Sequence, residues 1–293
     1  MALPPPAGVP SLTDMRSMNE RNSARRDRLR AIARETLDIV ASGGYRHQGA
    51  QVDLAGAIGA ALAGVRLHRP DEVVHVDGAA RAARVQVTAE TTLAAARRLG
   101  PEVACLVFAS AKNPGGGFRD GAEAQEESVV RSSALYPCLN AAAGFYRFHE
   151  RQRDLRYSDH VIYSPRVPVF RDDHGTLLPQ PYPASFLTAA APNISALRRS
   201  QPWDVADVPR TLRRRAAHLL RLAAAHRHRS LVLGAWGCGV FGNDPAEVAA
   251  AFDQALQAAP WFDEVVFAVH DTTPGARTRQ AFVDRFAGQV SDV

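Results

Sequence analysis

Gln125-Glu126-Glu127 follows a run of three glycines, Gly115-Gly116-Gly117, with seven residues between them. A carboxyl that gives a proton to a departing oxygen and later takes one from water is what cleavage of a glycosidic bond requires. Neighbouring residues on a helix project about 100° apart at 3.6 residues per turn. Glu126 and Glu127 therefore cannot flank one bond as the paired carboxyls of most glycosidases do, and different tasks are expected for them. Consecutive glycines let the backbone approach a ligand and turn N–H groups toward its oxygens. A second such loop, Gly237-Cys238-Gly239-Val240-Phe241-Gly242-Asn243, stands later in the chain. Two loops of this kind facing each other suit a diphosphate and its sugars. Neither carries the pattern of a P-loop, so P-loop chemistry is not supported.

Each loop follows an apolar run, residues 105–110 (CLVFAS) and 231–236 (LVLGAW), that reads as a buried strand. Asp120 with Glu123 forms a capping-box pattern that predicts a helix from near Gly121, with Gln125, Glu126 and Glu127 in its second turn. Asp244-Pro245-Ala246-Glu247 repeats the pattern with proline at the first helical position. Further strands are expected at residues 73–76 (VVHV), 85–88 (VQVT) and 264–270 (EVVFAVH). Further helices are expected from Asn19 to the Gly43-Gly44 stop, over 91–98 and 208–226, from Pro245, and over 274–286. Strand and helix in alternation give an α/β class, a mixed, largely parallel sheet covered on both faces. In a parallel sheet both glycine loops leave at carboxyl ends of strands, where such folds bind ligands. The proline-rich stretch 163–193 excludes a helix and reads as edge strands and loops. Residues 1–18 read as a flexible proline-rich arm, 19–70 as a helical extension and 71–293 as the core.

The 293 residues, 46% of them hydrophobic, carry enough apolar surface for a large core, which excludes a disordered or fibrous chain. Lys+Arg exceed Asp+Glu by 35 to 30, suiting an anionic ligand, but the basic blocks of a duplex-binding protein are missing. The single lysine, Lys112, stands beside the first glycine loop. Cys105, Cys138 and Cys238 lie far apart with no metal-binding spacing, so neither a disulfide framework nor a metal is expected and a reducing, cytoplasmic setting is. No apolar run approaches the roughly 18 residues that span a membrane. Cys238 reads as a small apolar filler, Arg213-Arg214-Arg215 as a solvated helix face, and His270-Asp271 as the end of a strand at the ligand-bearing edge.

These residues resemble the macrodomain-type poly(ADP-ribose) glycohydrolases, specifically the microbial branch. The triple glycine with Gln125-Glu126-Glu127 carries the resemblance. Tyr163-Ser164-Pro165, the run Val167 to Arg171, Ala191-Pro192-Asn193 and the loop Gly234 to Asn243 extend it over most of residues 19 to 286. The resemblance implies a macrodomain core with an N-terminal helical extension, no cofactor, and release of ADP-ribose from the terminus of poly(ADP-ribose). Its implied partners are that polymer or ADP-ribosylated proteins. It implies Glu127 as the catalytic acid and Glu126 as the partner holding ribose hydroxyls. Gly115, Gly116 and Gly117 are then expected at the ribose and diphosphate, Asn113 as the asparagine that orients the distal ribose, and Gln125 among the substrate-binding residues. Gly237, Cys238, Gly239, Val240 and Gly242 follow the diphosphate, with Phe241 against the distal ribose. A reader of ADP-ribose that does not cleave it, and a mono(ADP-ribosyl) hydrolase, are the competing readings. A helix N-terminus favours a carboxylate, whereas the acid of such a reaction must carry a proton. Burial, a neighbouring acid and the ligand's diphosphate push the other way, and the proton is expected to be held only with substrate bound.

Overall fold

The computed structural model describes residues 12–76 and 80–288. The chain opens with helix α1 (Leu12–Ser42) and a hairpin of β1 (Gly44–His47) and β2 (Ala50–Asp53). Then come α2 (Ala55–Ala63), β3 (Arg66–His68), β4 (Arg84–Thr88), α3 (Thr92–Leu99) and β5 (Ala104–Phe108). Helices α4 (Gln125–Ser132), α5 (Leu135–Ala141) and α6 (Gly144–Arg151) precede the long strands β6 (Val161–Arg171) and β7 (Leu177–Ala189). The remainder is α7 (Ile194–Ser200), α8 (Val208–Ala225), β8 (Ser230–Leu233), α9 (Pro245–Gln257), β9 (Glu264–Ala268) and α10 (Arg277–Phe286).

Seven strands form one sheet in the order β3-β6-β7-β5-β8-β9-β4. The pairings from β7 to β4 are all parallel, and β3, β6 and β7 pair antiparallel, so the sheet is mixed and largely parallel as expected. Alternation along β5 divides the core: Cys105 and Val107 face one apolar cluster, Ala104 and Leu106 the other. Helices α1 to α6 supply the first cluster, with Ile39, Ile58, Ala95, Val129, Leu139 and Phe145; α7 to α10 supply the second, with Leu197, Leu212, Phe252 and Phe282. The two halves of the chain thus cover opposite faces.

Four expectations need correcting. Helix α1 begins at Leu12 rather than Asn19, so only residues 1–11 of the expected arm lie outside the described residues. Residues 73–76 form no strand, because no neighbouring strand pairs with them. The proline-rich stretch contributes β6 and β7, which lie inside the sheet rather than at its edge. Their prolines are tolerated because β5 reaches only residues 185–189 of β7 and β3 only 161–163 of β6. Beyond those stations the two strands form a ribbon, with Pro168 opposite Pro183, and the missing proline N–H groups interrupt no ladder with β3 or β5. The fourth correction concerns the helix that carries the acidic pair.

Candidate active site

Asp120 does not cap that helix. Phe118–Asp120 makes a short 3-10 turn that Gly121 ends at φ +79°, and α4 starts at Gln125 after Ala124. A Cβ at Gly121 would lie 2.6 Å from the Arg26 carbonyl oxygen, so α1 packs directly onto the point where the chain turns. Arg30 donates to the Asp120 carbonyl at 3.2 Å, and Arg25 pairs with Glu123 at 2.9 Å. Gln125, Glu126 and Glu127 consequently occupy the first turn of α4, not the second.

There the three side chains reach successive stations of the strand and loop before them. The Gln125 amide oxygen accepts from Phe108 N at 2.9 Å, and its nitrogen donates to Leu106 O at 2.8 Å and Thr92 Oγ1 at 3.0 Å. These bonds tie the Gln125 amide to the end of β5 and to Thr92 of α3. Glu126 accepts from Ser110 N at 2.6 Å on one oxygen and from Gly115 N at 3.2 Å on the other. Burial, the largest influence, pushes the Glu126 carboxyl well above the usual range, and the neighbouring Glu127 charge adds to this. The two N–H donors act against it.

Glu127 accepts from Gly117 N at 3.0 Å through Oε1. Its Oε2 takes no donor from the described residues and reaches solvent, although the residue is only 8% exposed. Gly115 (φ +72°) and Gly116 (φ +58°) adopt the left-handed conformation. A Cβ on Gly116 would collide with Glu127 Oε1, so this glycine is required by the protein's own carboxyl as much as by any ligand. Arg131, 4% exposed and one turn beyond Glu127, holds the Ala122 carbonyl at 2.6 Å and so fixes the segment leading into α4. Sequence reasoning missed it; an arginine on the same helix face as the buried acid was the available signal.

The second loop leaves β8, the parallel neighbour of β5, so both glycine loops emerge side by side at the carboxyl edge. Gly234 lets the strand ends close: a Cβ there would stand 3.0 Å from the Phe108 ring. Trp236, 1% exposed, donates to Ala189 O at 3.0 Å. The Asn243 amide donates to Pro192 O at 2.8 Å and Gly237 O at 3.0 Å. Asp244 caps α9 through Ala246 N at 2.8 Å with Pro245 following, as its sequence predicts. Gly239 and Val240 are exposed at the tip, and Phe241 is half-buried with its carbonyl held by Ser195 N at 3.0 Å. Burial pushes the half-buried Cys238 thiol up to about 12, leaving it protonated and apolar in character. Asn113 and Lys112 are exposed on the first loop, where the Asn113 carbonyl accepts from Gly116 N at 2.9 Å. Among the described residues no group of His, Cys, Asp or Glu is arranged to hold a metal ion, and no helix is long and apolar enough to cross a membrane. Arg215, expected on a solvated face, is instead buried and paired with Asp159 at 2.9 Å.

A carboxyl held on one of two adjacent glycine loops at the carboxyl edge of a largely parallel sheet fits a macrodomain-type glycosidase, and comparison with known proteins agrees. The family model described as the microbial-type PARG catalytic domain, PARG being poly(ADP-ribose) glycohydrolase, matches residues 33–172. The crystal structure of poly(ADP-ribose) glycohydrolase from Thermomonospora curvata is 51% identical, with a TM-score of 0.82, over 89% of this chain and 100% of that one. The same enzyme bound to the inhibitor ADP-HPD is matched at 50% identity and a TM-score of 0.81, with the same coverage of 89% and 100%. The Deinococcus radiodurans enzyme in complex with ADP-ribose is matched at 43% identity and a TM-score of 0.76, over 83% of this chain and 99% of that one. A search of curated protein sequences gives no match. The chain belongs to the microbial-type poly(ADP-ribose) glycohydrolase family, and it is a glycosidase.

Proposed function

We propose that this glycosidase hydrolyses the ribose–ribose O-glycosidic bond at the terminus of poly(ADP-ribose) and releases ADP-ribose, with Glu127 as its acid and base. One observation carries the assignment. Of the two adjacent carboxyls, Glu126 has both oxygens engaged by backbone N–H groups, whereas Glu127 keeps one oxygen without a donor from the described residues. Glu127 protonates the bridging oxygen as the bond to the anomeric carbon breaks, and the departing polymer keeps that proton as its hydroxyl. The oxocarbenium-like centre is then attacked by water, whose proton returns to the Glu127 carboxylate. Glu126 holds the first loop in shape and presents its carboxyl to ribose hydroxyls. Backbone N–H groups of residues 115–117 and 237–242 receive the ribose and diphosphate, and Phe241 packs against the distal ribose.

Incubation with labelled poly(ADP-ribose), and separately with a mono(ADP-ribosyl)ated protein, tests this. Free ADP-ribose is expected to accumulate from the polymer. Saturable binding without release would instead make the protein a reader of ADP-ribose, and release only from the mono-modified protein would make it a mono(ADP-ribosyl) hydrolase.

A further inference from the structure

Between α6 and β6 lies the loop 152–160, in which Tyr157 holds φ +62°. A bulky side chain rarely occupies this left-handed conformation, and a glycine would adopt it without strain. The surroundings enforce it. Tyr157 N donates to Asp154 O at 3.1 Å, and the Asp154 carboxylate receives Arg156 N at 2.8 Å and the Arg156 guanidinium at 3.0 Å. Fully buried Arg215 donates to Arg156 O at 3.0 Å, to Asp159 at 2.9 Å and to Ala190 O at 2.6 Å. Ser158 Oγ lies 2.8 Å from ring nitrogens of both His149 and His160.

What this scaffold delivers is the placement of one ring. Tyr157 lies against Phe241 with centroids 5.9 Å apart at 44°, and meets His149 edge-on at 5.7 Å and 89°. Tyr157 packs with the core cluster on the α1–α6 side and Phe241 with the cluster on the α7–α10 side. The pair therefore joins both layers across the carboxyl edge of the sheet. Among the described residues Tyr157 is the only aromatic neighbour of the Phe241 ring. Strain of this kind persists only where its surroundings over-determine it, and here the surroundings set the ring against Phe241.

We propose that Tyr157 is a positioning residue for the hydrolysis: its strained backbone presses its ring onto Phe241 and fixes the aromatic surface on which the distal ribose packs. This rests on the proposed function, which gives Phe241 its ribose contact. Tyr157→Leu is expected to lower kcat/KM on poly(ADP-ribose) about tenfold, while Tyr157→Phe stays within about twofold because the ring remains. Placed on a Phe241→Leu background, Tyr157→Leu is expected to add no further loss, since both changes remove one interaction. Tyr157→Gly relieves the backbone and is expected to keep or raise Tm while showing the same kinetic loss. Equal losses from Tyr157→Leu in both backgrounds, full activity of Tyr157→Gly, or a loss in Tyr157→Phe as large as in Tyr157→Leu would each overturn the inference. If the unmodified enzyme releases no ADP-ribose, the proposed function fails, and NMR signals of the Phe241 ring then decide the positioning. They are expected to shift and broaden in Tyr157→Leu, and unchanged signals would refute it.

Discussion

The two glycine loops lie side by side and are built from opposite materials. The first, residues 109–117, is held from outside by the carboxyls of Glu126 and Glu127. The second, residues 234–243, is held by neutral groups, the Asn243 amide, the Trp236 indole and the backbone of residue 195. A loop tied by acids shares its geometry with the chemistry and with pH; a loop tied by amides does neither. Catalysis and proton sensitivity should therefore reside in the first loop, and indifferent support in the second.

The largest expected effect is that of Glu127→Gln, which removes the proposed proton donor and should lower ADP-ribose release by about 10²- to 10⁴-fold. ADP-ribose binding measured by calorimetry should persist, and unchanged turnover would remove Glu127 from its role. Gly116→Ala is expected to follow, because its Cβ meets the Glu127 carboxyl in a left-handed conformation. Strain of this kind costs about 1–3 kcal/mol, and activity should fall along with Tm. On the second loop, Asn243→Ala leaves the Pro192 and Gly237 carbonyls without their side-chain donor. Denaturant unfolding should show a loss of about 1–3 kcal/mol that does not vary with pH.

Glu126 supplies the pH-dependent counterpart. Its folded-state pKa is raised, so the folded chain holds this proton more tightly than the unfolded chain. The corresponding stability is complete below the ordinary glutamate range and is lost as pH rises toward the elevated value. Compared with Glu126→Gln, the unmodified protein should therefore lose Tm steadily from about pH 4.5 upward, and a gap between the two that stays constant across that range would contradict the assignment. The smallest effect is expected from Gly239→Ala, where a Cβ meets nothing within 4 Å and the backbone is not left-handed. Its stability should stay within about 0.5 kcal/mol.

The same contrast explains what was legible in the sequence. Strands β5, β8 and β9 and helices α8 and α9 follow from apolar runs, helical spacing and the Asp244-Pro245 cap, all of which are local signals. The two loops at one edge follow from alternating strand and helix. Asp120 misled because the glycine after it makes an Asp-Gly turn, a reading that residue 121 itself offered. No local pattern could show that α1 packs on that turn, since the contact joins Arg26 to Gly121 across the chain. Nor could it show that Gln125 braces β5, because Gln125 and Phe108 meet only when α4 returns to the strand end. The ribbon was misread because proline composition reports missing donors and not where in a sheet their absence is harmless.

The anchoring of α4 divides the cleft into a fixed jaw and a yielding one. With three consecutive side chains fastened to three stations of strand and loop, the first jaw cannot swing without breaking every fastening at once. Gly239 and Val240, exposed at the rim of the other jaw, have no comparable tether. Breathing that admits a long polymer end should therefore concentrate at this rim, with fast amide exchange there and slow exchange in the first turn of α4.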